Sequence, residues 1–222
     1  MSAAVIQLLV LAGIAIFLIL RLRSVLGTRE GFEKPPLAAN ESPSDRSAGQ
    51  RDFEVIDGGV DHDITDHAEE GSAAAEALAE MKRAEPGFSV SEFLQGARGA
   101  YEMILMGFEH GDLDQVAPFL SPDVFEAFST VLDEREAQGL LVDANFVGVR
   151  ELSLQDAAFD AETATGEITV RFQGELTSVV RNTAGEIVEG NANEIKRQRD
   201  VWTFARKMGT GDPNWQLVAT GG

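Results

Sequence analysis

Some side chains in this sequence are of types that do chemistry, and their spacing limits what each can do. Asp61, His62, Asp63, Asp66 and His67 gather imidazoles and carboxylates in one short stretch, the donor types that hold a divalent metal. No patterned scaffold or outer shell surrounds them to fix their geometry, so no metal centre is predicted and the cofactor expectation is none. His110 ends a helical pattern beside Gly111, where an imidazole suits the negative end of a helix without serving as acid or base. No Ser/His/Asp order, glycine-rich phosphate loop or paired-carboxylate motif stands out. Cysteine is absent, which excludes thiolate nucleophiles and cysteine-ligated metals. The chain is expected not to be an enzyme.

Two further groups point to binding. Tyr101, Phe108, Phe172, Trp202, Phe204 and Trp215 either fill a core or line an apolar pocket, with Tyr101 the side chain best suited to present a polar tip into a cavity. Lys196, Arg197, Arg199, Arg206 and Lys207 form the dense basic region, read either as a solvated strand face balancing acidic neighbours or as a dock for an anionic partner or lipid headgroup. The whole chain carries a formal net charge of -19. A field of that sign repels phosphates and argues against nucleic-acid partners. Arg98 stands four residues before Glu102 and is expected to pair with it along a helix face.

The elements that must position these groups follow from periodicity. Ser89-Val90-Ser91-Glu92 is a capping box, after which Phe93, Ala97, Tyr101, Ile104, Leu105 and Phe108 recur at helical spacing until Gly111. Gly96 and Gly99 weaken that helix relative to alanine, which predicts another element packed closely against them. Asp112 caps a short segment with Leu113, Val116, Phe119 and Leu120. Ser121-Pro122-Asp123 then starts a helix whose face is Val124, Phe125, Phe128, Val131 and Leu132. After Gly139 the period becomes two, predicting strands over 145–154, 166–180, 199–206 and 214–220. Helices first and an antiparallel meander second define an α+β domain, with helices on one face of a curved sheet.

Upstream, residues 3–20 are an uncharged apolar run followed at once by Arg21 and Arg23, with Arg29 beyond. As a helix the run rises about 27 Å, enough to span a hydrocarbon core with snorkelling arginines, so it is expected to be an uncleaved single-pass anchor. Basic residues only on its C-terminal side place the rest of the chain in the cytoplasm. Residues 31–86 are expected to be a flexible acidic linker, with a short apolar patch at residues 53–56 and a partly formed helix at 69–83. The folded domain is expected over 87–222.

Several stretches together resemble the Tim44-like family, in its bacterial membrane-anchored adaptor branch of the Tim44/TimA type. They are Leu22-Arg23-Ser24-Val25-Leu26-Gly27-Thr28-Arg29 after the anchor, Phe93-Leu94-Gln95-Gly96-Ala97-Arg98-Gly99-Ala100-Tyr101, Leu120-Ser121-Pro122-Asp123-Val124-Phe125, and Asp200-Val201-Trp202-Thr203-Phe204-Ala205-Arg206 ahead of Pro213-Asn214-Trp215. The resemblance implies a cone similar to the NTF2 or cystatin folds. It also implies an adaptor that meets protein partners at the bacterial inner membrane, linked to protein translocation or the assembly of membrane-protein complexes. A module that binds a lipid or small hydrophobic ligand in the cone is the alternative.

Overall fold

The computed structural model describes residues 61–221. The expected anchor, its flank of Arg21, Arg23 and Arg29, and the linker up to residue 60 lie outside the described residues. Among the described residues, no helix is long and apolar enough to cross a membrane.

Order begins earlier than composition suggested. Helix α1 (His62–Thr65) buries Ile64, and helix α2 (Ala73–Ala84), capped by Ser72, buries Leu78 and Met81 completely. Composition placed a flexible linker up to residue 86. The alanine-rich stretch instead joins the core, because two large side chains spaced three residues apart are enough to seat a helix of small residues against a sheet. Helix α3 (Val90–His110) runs from the Ser89 cap to Gly111, whose φ of 74° is the left-handed conformation a helix stop favours. Its buried stripe is Val90, Phe93, Leu94, Ala97, Tyr101, Ile104 and Leu105; Phe93, Ala97, Tyr101, Ile104 and Leu105 were read from the sequence, whereas Phe108, also expected there, is only half-buried. A single 3₁₀ turn (Ala117–Phe119) replaces the short helix expected after Asp112, and helix α4 (Pro122–Ala137) follows the predicted Ser121 cap. Of its expected apolar face only Val124 is fully buried, and Val131 is exposed. This helix lies at the margin of the core.

The sheet contains β1 (Leu141–Asp160), β2 (Thr165–Arg181), β3 (Ile187–Gly190), β4 (Lys196–Lys207) and β5 (Gln216–Gly221). Its order is β1-β2-β4-β5, all antiparallel, with the short β3 also paired to β2. Strand β1 is much longer than expected: pairing with β2 from Leu141↔Arg181 to Asp160↔Thr165 extends it past residues of weak strand preference. Three register shifts along it, at Phe146/Gly148, Val149/Glu151 and Leu154/Asp156, supply the bends of a curved sheet. On the inner face, Ile168, Val170, Phe172 and Leu176 of β2 and Trp202 and Phe204 of β4 are buried. Each such large side chain removed from water contributes roughly 1.5–3 kcal/mol. The outer face is polar, with Thr169 bonded to Thr203, Arg171 beside Glu151, and Glu175 between Arg150 and Arg197.

Candidate functional site

The six aromatic residues, read as either core or pocket lining, separate into three places. Tyr101 and Phe172 stack inside the core, 4.4 Å between ring centroids and 9° from parallel, with Trp202 4.8 Å from Tyr101. The Tyr101 hydroxyl donates to Asp200 at 2.5 Å and accepts from Gln198 at 3.2 Å, while Gln198 also donates to Asp200 at 2.9 Å. Burial first, and the Asp200 carboxylate second, push the phenol pKa far above its ordinary value, so it stays a protonated donor. The ring lies so close to β2 that a Cβ on Gly174 would stand 2.5 Å from the hydroxyl oxygen. Rings therefore occupy the space between helix and sheet where a hollow cone would hold a ligand. Phe108 lies at the far end of α3, its ring tilted 46° against Phe128 at 4.7 Å between centroids and beneath the Arg135 guanidinium.

Phe204 and Trp215 belong to a groove of about 400 Å³ between the first turns of α3 and the β4–β5 connection. Phe88, Phe93 and Phe119 complete its aromatic walls, and Gly96, Ala97 and Ala100 form its helical side. Trp215 packs 4.6 Å from Phe93 and 5.9 Å from Phe88, centroid to centroid. Gly96 is the informative residue. A glycine inside a helix costs about 1 kcal/mol relative to alanine, and close packing was expected to explain it. Yet a Cβ at Gly96 or Gly99 would meet nothing within 4 Å among the described residues, whereas one at Gly107 would stand 3.0 Å from the Asp112 carbonyl. At Gly96 the missing side chain leaves the groove wall bare.

The expected basic patch is divided by the alternation of strand β4. Arg197 and Arg199 point to the outer face, where Arg197 binds Glu175 at 2.9 Å and holds its carboxyl below the usual range. Arg206 points inward to the groove and is only 8% exposed. Its guanidinium donates to Glu85 at 2.8 Å and to the Asp212 carbonyl at 2.9 Å, and its central carbon lies 5.0 Å from the Trp215 ring centroid. Glu85 also accepts from the Gly209 N–H at 2.9 Å, fastening the α2–α3 connection to the end of β4. Among the described residues the buried Arg206 Nε has no hydrogen-bond partner, a condition that costs on the order of 1–3 kcal/mol. Lys196, Arg199 and Lys207 are exposed.

Other polar residues have structural partners. Asp63 accepts from the N–H groups of Val90 and Ser91 and from the Ser89 hydroxyl, capping α3 from 27 residues away, and pairs with Lys82 at 2.8 Å. Partial burial would raise its carboxyl, but the bonds from Lys82, Ser91 and Val90 outweigh it and hold the group far below the carboxylate range. Asp61 joins the same lysine, whose pKa rises against its desolvation for that reason. His67 meets the Ser91 hydroxyl, and His110 meets the Ala144 carbonyl at 2.9 Å. Arg98 does not rely on Glu102; it reaches the Val149 carbonyl at 2.8 Å, beside a register shift of β1. Phe93 and Phe119 were read only as apolar positions of helical segments, and Phe88 was not singled out. Their place in the groove depends on the β4–β5 connection folding back over α3, which local periodicity does not encode.

Helices packed on one face of a curved antiparallel sheet make this an α+β domain with an aromatic groove at its edge. The sequence model of the Tim44-like domain matches residues 74–222, and the chain belongs to that family. Among curated relatives, the human mitochondrial import inner membrane translocase subunit TIM44 is 26% identical over 148 residues, covering 65% of this chain and 32% of the relative. The Arabidopsis thaliana subunit TIM44-1 is 23% identical over 155 residues, covering 68% and 32%. The chain thus spans about a third of the length of these relatives. The intermembrane space region of the chloroplast protein ARC6 aligns with 58% of this chain and 94% of its own at 12% identity and a TM-score of 0.40.

Proposed function

We propose that this chain is a membrane-anchored adaptor whose Tim44-like domain binds protein partners at the inner membrane, in protein translocation or the assembly of membrane-protein complexes. The observation that carries the reading is the aromatic groove whose helical wall is bare at Gly96. A helix interior gives up about 1 kcal/mol there with no neighbour gaining contact, which is intelligible when the space itself is used. The translocase names of the relatives support the setting. The apolar run at residues 3–20, with Arg21, Arg23 and Arg29 behind it, supplies the attachment and puts the domain on the cytoplasmic side.

The test is site-specific photocrosslinking of the full chain in its native membranes, with the reactive residue at Asn214 on the groove or at Gln173 on the outer face of the sheet. A discrete protein adduct from Asn214 that is absent from Gln173 and lost with Gly96→Leu is the expected result. Lipid adducts alone, or equal protein adducts from both positions, would overturn the reading.

A further inference from the structure

We infer that the occupant of the groove is an apolar peptide segment flanked by basic residues, one of whose backbone carbonyls accepts a hydrogen bond from Arg206 Nε. This rests on the adaptor reading of the same groove. Arg206 lines the groove with its side chain more than nine-tenths buried, and Nε has no partner among the described residues although the other two nitrogens are engaged. A purely hydrocarbon occupant would leave that donor unsatisfied. The Trp215 indole lies over the guanidinium, its ring centroid 5.0 Å from the central carbon, so an acceptor that reaches Nε would displace this half-buried ring.

The surroundings select a neutral acceptor. The Arg206 charge is already matched by Glu85, both of whose oxygens are engaged, by Arg206 and by the Gly209 N–H. A carboxylate or phosphate placed beside Arg206 would therefore face Glu85 with no second cationic side chain among the described residues lining the groove, whereas an amide carbonyl brings no net charge. The N-terminus of α3 borders the groove but offers an anion little, because Asp63 and Ser89 already occupy the N–H groups of Val90, Ser91 and Glu92. Glu92 stands exposed at the rim, with no side-chain bond among the described residues, and its charge favours a cation on the entering chain. Phe88, Phe93, Phe119 and Trp215 accept aliphatic or aromatic side chains, and the bare surface at Gly96 lets a backbone approach. Apolar core, carbonyl acceptor and basic flank describe a peptide, not an anionic lipid.

The experiment measures binding to the purified full chain of two end-capped peptides that share a leucine–phenylalanine core, one flanked by lysines and one by glutamates. Labelled-peptide anisotropy is the readout, with phosphatidylglycerol vesicles as competitor. The lysine-flanked peptide should bind about fivefold more tightly or better, as expected for an opposite rather than a like charge beside an exposed carboxylate. Glu92→Lys should shrink or reverse that preference. Replacing single backbone amides of the peptide by esters, which are weaker acceptors, should weaken binding at one position in the wild type and have no effect there in Arg206→Lys. Should Arg206→Lys fail to fold, the Glu92→Lys comparison and the wild-type ester scan still decide. Equal binding of both peptides, tighter binding of the glutamate form, or displacement by the vesicles would overturn this inference while leaving an occupied groove. If neither peptide binds, the adaptor reading of the groove falls with it.

Discussion

Gly96 sits in the second turn of α3, where substitution should separate stability from binding. Alanine there gains about 1 kcal/mol of helix propensity, and no steric deduction applies because nothing lies within 4 Å of the added Cβ. For a domain of roughly this size, 1 kcal/mol raises the melting temperature by about 2–4 °C. Gly96→Leu keeps most of that gain and adds hydrocarbon to a groove of about 400 Å³ beside Phe93 and Trp215, so it should melt higher than wild type yet lose the occupant. Gly107→Ala is the internal control: the same propensity gain is opposed by the Asp112 carbonyl at 3.0 Å and Val116 at 3.1 Å, and its net effect should be near zero or destabilising. Thermal melts by far-ultraviolet circular dichroism, with peptide anisotropy in parallel, measure both quantities. A destabilised Gly96→Ala would show that something packs against that face and that the argument from empty space is wrong. A Gly96→Leu variant with undiminished binding would move the site elsewhere.

Asp63→Asn should destabilise the domain by about 1–2 kcal/mol near neutral pH, the scale of a lost helix cap, read from urea midpoints. Because folding depresses this carboxyl below its unfolded value of about 3.9, its contribution is full above that value and fades as the pH falls below it. The variant should therefore differ from wild type at pH 7 and converge with it in strong acid, and a constant gap across that range would remove Asp63 from the acid limb. Gly174→Ala should cost about 1–3 kcal/mol, the range for overpacking, since its Cβ would press on the Tyr101 hydroxyl. Pairing it with Tyr101→Phe should recover part of that loss, and a strictly additive double variant would contradict the proposed clash.

The helices were legible because caps and periodicity are local. Ser89 and Gly111 bound α3 in the sequence and in the structure alike, and Ser121 with Pro122 starts α4 as read. Strand β3 was missed because Ile187 and Val188 stand exposed in a four-residue strand with no buried alternate to betray it. The start of the domain was misplaced because Asp63, Lys82 and Glu85 look like ordinary linker charges until α3 and the end of β4 supply their partners. The site was half legible for the same reason. Phe204 and Trp215 were named, but sorting groove from core required knowing that Tyr101 lies flat on Phe172. The basic patch dissolved once strand parity was applied: Arg206 and Arg199 are seven residues apart, an odd interval that sends them to opposite faces.

The bond from Gly209 to Glu85 spans 124 positions of sequence, and that from Tyr101 to Asp200 spans 99. A ribosome adding roughly 5–20 residues per second leaves about 6–25 s between making the helices and making the strand residues that secure them. During that interval Phe93 and Tyr101 lack the β4 rings they pack against, Phe204 and Trp202. Newly made copies spend those seconds with part of the apolar face of α3 lacking the strand that covers it in the folded domain.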